Sequence, residues 1–404
     1  MHEAKIVKQG KGNISKPSAE ALRRGPALPT DPISSRGFFL VICLVLGCLF
    51  YIFKTALNSP ETADVLSPTM LPKFADIVQN AGLFFNGYAM GYMRTLTGYL
   101  VFLMMSLFFL SFGKVAYDVI FKSRVQAQKQ TNRLTTVERV SFYYMLGSLI
   151  ASTLWLCLGV AGVLNTYTGL VMGGLGCLGF IVTYRHLLPH IKGFPTNIRE
   201  KIASWKTEYT LTEKVLFIFL CILLLTWSTT STLWQTYSDT YEIHLPLANM
   251  YLQQGKIIAN PYMVYSYFPQ NTEMLVMWSL ILKSEVAAAL LIWGFLISLV
   301  LLVWGFLKRH TSNLAAMISV LLLVSAPMIA WFSTAVKNDF PTGLFLLAHY
   351  LALVEAFESK SSNPQESQRW LLLAGVLCGG AVGHKLTALI PVFCSALLLV
   401  GFDV

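Results

Sequence analysis

The stretch VAAALLIWGFLISLVLLVWGFL, residues 286 to 307, runs for 22 residues with no charge and no proline, and Lys308 and Arg309 close it. A helix needs roughly 20 mostly apolar residues to cross about 30 Å of hydrocarbon, where it satisfies its own backbone hydrogen bonds in the absence of water. The stretch meets that length, and its basic flank is the kind that anchors a span end.

Comparable runs recur on both sides of it. They are Gly37 to Phe53, Thr95 to Gly113, Val140 to Leu164, Thr166 to Tyr184, Val215 to Thr232, Leu314 to Val336 and Leu386 to Phe402, with shorter ones at Phe340 to Val354 and Trp370 to Gly383. The chain is 55% hydrophobic and 12% charged over 404 residues. The expected fold is therefore all-α, a polytopic integral membrane helical bundle of about ten transmembrane helices. The first run follows a 36-residue basic tail without a small-residue cleavage site behind it, so it reads as an anchor and not as a removable signal peptide.

Lysine and arginine give the orientation, because cytoplasmic segments retain positive charge. With the N-terminus inside, 23 of the 30 basic residues fall in the inner segments 1 to 36, 114 to 139, 185 to 214, 308 to 313 and 355 to 369. The net charge of +10 is then accounted for by basic loops against anionic lipid heads, and no nucleic-acid partner is needed. All seven cysteines lie within apolar runs and lack metal-ligand spacing, so free, buried thiols are expected.

The expected organisation is a cytoplasmic basic tail (1–36), a four-span membrane region (37–190), a cytoplasmic connector (191–214) and a second membrane module (215–404). The largest outer loop of that module, Leu233 to Glu285, contains SDTYEIHLP at residues 238 to 246, with Asp239, Glu242 and His244 just past a span. Leu245 to Ile258 and Met274 to Leu282 are too short or too polar to cross, and read as interfacial helices in that loop. Further charges stand at the other outer turns, Lys337 and Asp339 in AVKNDFP and His384 and Lys385 in GHKLT. Acids, lysines and histidines thus gather on one membrane face at helix ends. A carboxylate there can take a proton from an attacking hydroxyl, while a lysine neutralises charge growing on a leaving phosphate. Each residue also has a plainer reading: a capping acid, a solvated loop charge, a snorkelling lysine or an interfacial aromatic.

DTYEIHLPLANMYLQQGKI (239–257), NPYMVYSYFPQNTEMLVMWSLIL (260–282), KNDFPTGLFLLAHYLAL (337–353) and LAGVLCGGAVGHKLTALIPV (373–392), in that order, resemble the motif series of the glycosyltransferase C (GT-C) superfamily. The bacterial branch with lipid A aminoarabinose transferases and protein O-mannosyltransferases is the nearest in shape, and the resemblance covers about residues 210 to 404. It implies transfer of a sugar from a polyprenyl-phosphate-linked donor to a lipid, glycan or protein acceptor, with inversion, at the outer face of a bacterial inner membrane. It implies Asp239 and Asp339 as catalytic residues. Lys385, Glu273, His244, Tyr241 and Tyr265 are then the substrate-binding candidates. No cofactor is indicated beyond a candidate divalent metal ion, for which Asp239, Asp339 and His244 are the ligands to consider. The aminoarabinose transferases place a lysine directly after the acid at Glu273 and then a proline pair, whereas this chain reads FPQNTEML, so that subfamily's specificity is not expected here. Family members also continue beyond the point where this sequence stops at GFDV, so a truncated module is expected. Two other classes stay open: a secondary transporter of a lipid-linked or small substrate, and a non-catalytic membrane scaffold related to these enzymes.

Overall fold

The structure is a computed structural model that describes residues 89–121, 134–185, 209–233 and 239–401. The expected basic tail, the first span Gly37 to Phe53 and most of the connector 191–214 lie outside the described residues. Every described residue belongs to the larger of two contact units, Cys48–Val404.

The expected spans within the described residues are helical over most of their length. In chain order the helices are α1 (Ala89–Phe121), α2 (Thr136–Val160), α3 (Thr166–Tyr184) and α4 (Leu211–Ser231), followed by a π-helical turn (Thr240–His244). Then come α5 (Leu245–Gln254), a 3-10 turn (Val264–Tyr267), α6 (Asn271–Ile281), α7 (Glu285–His310), α8 (Asn313–Ser325) and α9 (Pro327–Thr334). Last are α10 (Asp339–Lys360), α11 (Pro364–His384), a 3-10 turn (Leu386–Ala388) and α12 (Leu389–Gly401). No strand occurs among the described residues. The protein is an all-α polytopic membrane bundle, in which six described helices are long and apolar enough to cross a membrane, or seven if the bent pair α8 and α9 is one span.

Local sequence sets where these helices begin. Thr135 with Glu138, and Thr210 with Glu213, form capping boxes that satisfy the first free N–H groups of α2 and α4. Asn165, Ser284, Ser312 and Asn363 accept from the third helical N–H of α3, α7, α8 and α11. At the other end of α5, Gly255 takes φ +66 and stops the helix, a conformation that costs glycine little.

Polar partners let several helices outrun the apolar stretches that announce them. α1 continues past Gly113 through a Lys114–Asp118 pair at 2.7 Å, and α10 continues past Val354 because Glu355 is met by Arg309. Leu314 to Val336, expected as one span, is broken instead. α8 and α9 meet at 65° across Ala326, which is extended at φ −62, ψ 124 because a residue before proline is driven out of the helical region.

The centre of the bundle is α7 and α10, whose apolar windows are 78% buried, against 22% and 17% for α3 and α4 at the outside. Hydrocarbon gives apolar side chains no reason to leave it, so close backbone approach and internal hydrogen bonds hold such a bundle together. At the α1–α2 crossing a Cβ on Gly113 would lie 1.7 Å from the Tyr143 carbonyl oxygen, and one on Gly147 would lie 1.9 Å from that of Phe109. Ser141 Oγ joins Ser298 Oγ at 2.7 Å between α2 and α7, and Tyr99 joins Ser228 at 2.6 Å between α1 and α4. Two expectations about burial need correction. Met274 to Leu282 is not open to its surroundings as a surface-lying helix would be: in α6 the side chains from Thr272 to Ser279 are all buried, enclosed by α2, α5 and α7. Among the described cysteines, Cys157, Cys221 and Cys394 are exposed rather than buried, since they sit on helix faces turned away from the bundle.

Candidate active site

The helices alternate in direction, and their ends sort the charges into two groups. At one end lie the start of α1, the end of α2, the start of α7 and the turns α9–α10 and α11–α12, where Arg94 meets Glu285 at 3.1 Å. The loop after α4 packs here too, since Ile257 N–H donates to the Gly159 carbonyl. At the opposite end Arg309 bridges Glu138 and Glu355 at 2.8 and 2.5 Å, and Arg369 donates to the Phe121 carbonyl. Among the described residues, those expected on opposite sides of the membrane thus lie at opposite ends of the bundle.

The first end holds nearly all the predicted site residues. Asp239 opens the π-helical turn, and its carboxylate meets Lys337 Nζ at 2.9 Å. The lysine is buried, at 3% exposure, while the aspartate side chain is 39% exposed. Lys337 also lies 5.5 and 5.8 Å from the ring centroids of Trp331 and Phe332, so aromatic faces share the stabilisation of its charge. Thr240 Oγ1 donates to the Val336 carbonyl at 3.2 Å and pins the turn to the segment that carries Lys337. Two residues on, Asp339 starts α10 and meets Lys385 at 2.5 Å, both side chains about one-third exposed. Asn338, between the two pairs, donates to the His384 carbonyl at 3.1 Å and ties the α9–α10 turn to the end of α11.

A second, drier layer lies behind these pairs. Glu273, in the first turn of α6, meets His244 Nδ1 at 2.7 Å with both side chains buried. Its neighbour Thr272 shares a 2.8 Å hydrogen bond with His384 Nδ1, and the His384 ring packs against Phe345 with centroids 4.9 Å apart. Burial pushes the Tyr251 phenol up, and the nearby Glu273 carboxylate adds to that shift, so this hydroxyl is a donor at neutral pH. Asp239, His244, Glu273, Asp339 and Lys385 are therefore linked, through Thr240, Val336 to Asn338, Thr272 and His384, into one connected end of the bundle.

Tyr241 and Tyr265 stand apart from this arrangement in exposure. Both are exposed, and the Tyr265 ring is edge-on to Phe268 at 6.0 Å on the 3-10 turn. Asp239, Asp339 and His244 do not fit a divalent cation as a set. An ammonium stands beside each aspartate, a carboxylate beside the histidine, and no group of three or more His, Cys, Asp or Glu among the described residues converges as a metal site.

Lys337 and the hydrogen-bonding Thr240, Thr272, Asn338 and His384 were not among the predicted site residues. Lys337 and His384 stand out in the sequence as charges at outer turns, but without a role of their own. The partners of the others come from segments up to 112 residues away.

An all-α membrane bundle whose polar end pairs carboxylates with lysines is the class this geometry defines. Residues 273–403, about a third of the chain, match the family model described as dolichyl-phosphate-mannose-protein mannosyltransferase. The match supports a membrane glycosyltransferase of the GT-C type and includes Glu273, Lys337, Asp339 and Lys385. No curated protein and no solved structure matches the chain significantly.

Proposed function

We propose that the chain transfers a sugar from a polyprenyl-phosphate-linked donor to a hydroxyl on an acceptor at the outer membrane face, with inversion at the anomeric carbon. The observation that carries the reading is the pair of acid–lysine contacts, Asp239 with Lys337 and Asp339 with Lys385, on adjoining turns at one end of the bundle. Lysines beside a bilayer surface suit a phosphate whose lipid tail lies in the membrane. Their charge opposes the charge that grows on that phosphate as the sugar leaves.

Asp239 draws the proton from the acceptor hydroxyl as its oxygen bonds to the anomeric carbon, and the bond to the phosphate oxygen breaks with its electron pair leaving on the polyprenyl phosphate. Lys385, more exposed than Lys337, meets the phosphate, and Asp339 holds it in place. Lys337 fixes the Asp239 carboxylate from below, leaving its exposed side toward the acceptor. The end bearing Arg309 is cytoplasmic on this reading, because the described basic residues Lys308, Arg309, Lys360 and Arg369 belong to segments at that end.

The test is to reconstitute the chain in lipid and offer a panel of labelled polyprenyl-phosphate sugars. Labelled acceptor with the anomeric configuration inverted supports the reading, and no transfer from any donor refutes it.

A further inference from the structure

Lys385, which meets the donor phosphate on the transferase reading, stands at a helix end. α11 stops at His384, and the Lys385 backbone is extended at φ −154, ψ 129 before the 3-10 turn Leu386–Ala388. An ammonium on a flexible four-carbon stem is a poorly placed charge unless its head and its backbone are both held. The head is held by Asp339 at 2.5 Å. The backbone is held through the residue before it.

His384 is wholly buried, at 0% exposure, although the next side chain in sequence is about one-third exposed. Its Nδ1 shares a 2.8 Å hydrogen bond with the equally buried Thr272 hydroxyl at the start of α6. Its ring lies edge-on to Phe295 of α7 at 6.1 Å and against Phe345 of α10 at 4.9 Å. One residue earlier, a Cβ on Gly383 would lie 2.2 Å from Asn271 Nδ2, so α11 ends in close contact with the start of α6. The backbone at the helix end is bonded as well: the Lys385 N–H donates to the Ala381 carbonyl, and the His384 carbonyl accepts from Asn338 Nδ2, both at 3.1 Å. Consecutive residues of one turn thus pair with consecutive residues of the other, Asn338 with His384 and Asp339 with Lys385.

Packing alone does not account for a histidine here. Its Nε2 is buried without a hydrogen-bond partner among the described residues, and a buried polar atom left unpaired opposes folding. A phenyl ring would fill the space without that cost. What the imidazole adds is the bond from Nδ1 to Thr272, which joins the end of α11 to α6.

We propose that His384 is a positioning residue for the donor phosphate: clasped by Thr272, it fixes the end of α11 so that the Lys385 ammonium is aimed at the phosphate that leaves. The inference rests on the reading of Lys385 as the phosphate partner in sugar transfer. Misplacing a reacting group by about 1 Å can cost about 100-fold in rate, so a change at the buried clasp is felt at the exposed lysine.

The test is a double-mutant cycle on sugar transfer by the reconstituted full chain, read as the rate at saturating donor and acceptor. Thr272→Val removes the hydroxyl with little change of shape, Thr272→Ser keeps it, and His384→Phe removes the ring nitrogens. Each is made alone and together with Lys385→Met, and folding is checked by thermal melt. Thr272→Val and His384→Phe should each lose about tenfold, and Thr272→Ser should stay within threefold of wild type. Once Lys385 is replaced, neither Thr272→Val nor His384→Phe should lower the rate more than twofold further, because the group they position is gone. If either of them, folded, transfers within threefold of wild type, if Thr272→Ser falls as far as Thr272→Val, or if a larger loss persists alongside Lys385→Met, the positioning role is wrong while the transferase reading stands. Should His384→Phe not fold, Thr272→Val alone decides. A wild type without transfer, or a Lys385→Met protein as active as wild type, overturns the reading beneath it and the positioning role together.

Discussion

Arg309→Met tests the end of the bundle remote from the site. The guanidinium donates to Glu138 Oε1 from Nε at 3.0 Å and from Nη2 at 2.8 Å, and to Glu355 Oε1 from Nη2 at 2.5 Å. Both carboxylate side chains are only 2% exposed. Methionine keeps an apolar stem of similar length against Phe306, whose ring lies 5.5 Å from the guanidinium carbon. The substitution therefore mainly strands two buried anions. Breaking a buried pair from one side costs about 3–5 kcal/mol, because the remaining charge is uncompensated, and with two acids facing each other the upper figure is expected. In a thermal melt of detergent-solubilised protein that is a loss of the order of 10 °C. The two acids are not equivalent. Glu138 Oε2 still accepts from Thr135 N–H and Oγ1 at 2.6 and 2.7 Å, whereas Glu355 Oε2 has no partner. Adding Glu355→Gln to Arg309→Met should thus restore more stability than adding Glu138→Gln, and all three together should approach wild type. An Arg309→Met protein that melts with wild type, or Glu138→Gln as the better rescue, would refute the reasoning.

The other predictions concern packing and chemistry. Gly147→Val should prevent formation of a folded, monodisperse protein, because its first side-chain carbon meets the Phe109 carbonyl oxygen at 1.9 Å and backbone cannot yield there. Gly174→Ala, with nothing within 4 Å, should melt at or slightly above wild type, as alanine favours a helix over glycine by about 1 kcal/mol. Lys385→Met should lower sugar transfer about 100-fold if its charge stabilises the leaving phosphate, and Lys385→Arg should recover part of that, both read as rates at saturating acceptor.

Apolar run length sufficed for most of the fold. A run such as 286 to 307 has few ways to satisfy its backbone other than a helix. Two elements escaped this reading. The break at Ala326 was signalled by Pro327, yet the surrounding run is apolar enough to span, so length concealed the bend. α6 was taken for an interfacial helix because it is short, and composition alone does not say whether lipid headgroups or other helices cover an apolar face. The site was partly legible for a similar reason. Asp239, Asp339 and Lys385 stood out as rare charges at span ends, but pairing is a tertiary fact. Nothing local joins Asp239 to Lys337 across 97 intervening positions, or His244 to Glu273 across a loop of tyrosines. The Glu138–Arg309–Glu355 cluster was invisible likewise, since its partners lie 171 and 46 residues apart.

The most direct test of the central claim is sugar transfer in membranes containing equal amounts of wild type and Asp239→Asn. The amide keeps the size of the side chain, while removing the charge that Lys337 meets and the ability to take a proton. Transfer by wild type with at least a 100-fold loss in the variant, which still folds as a monodisperse protein, is the result the account predicts. Equal transfer by the two proteins would contradict it and remove this acid–lysine pair from the chemistry.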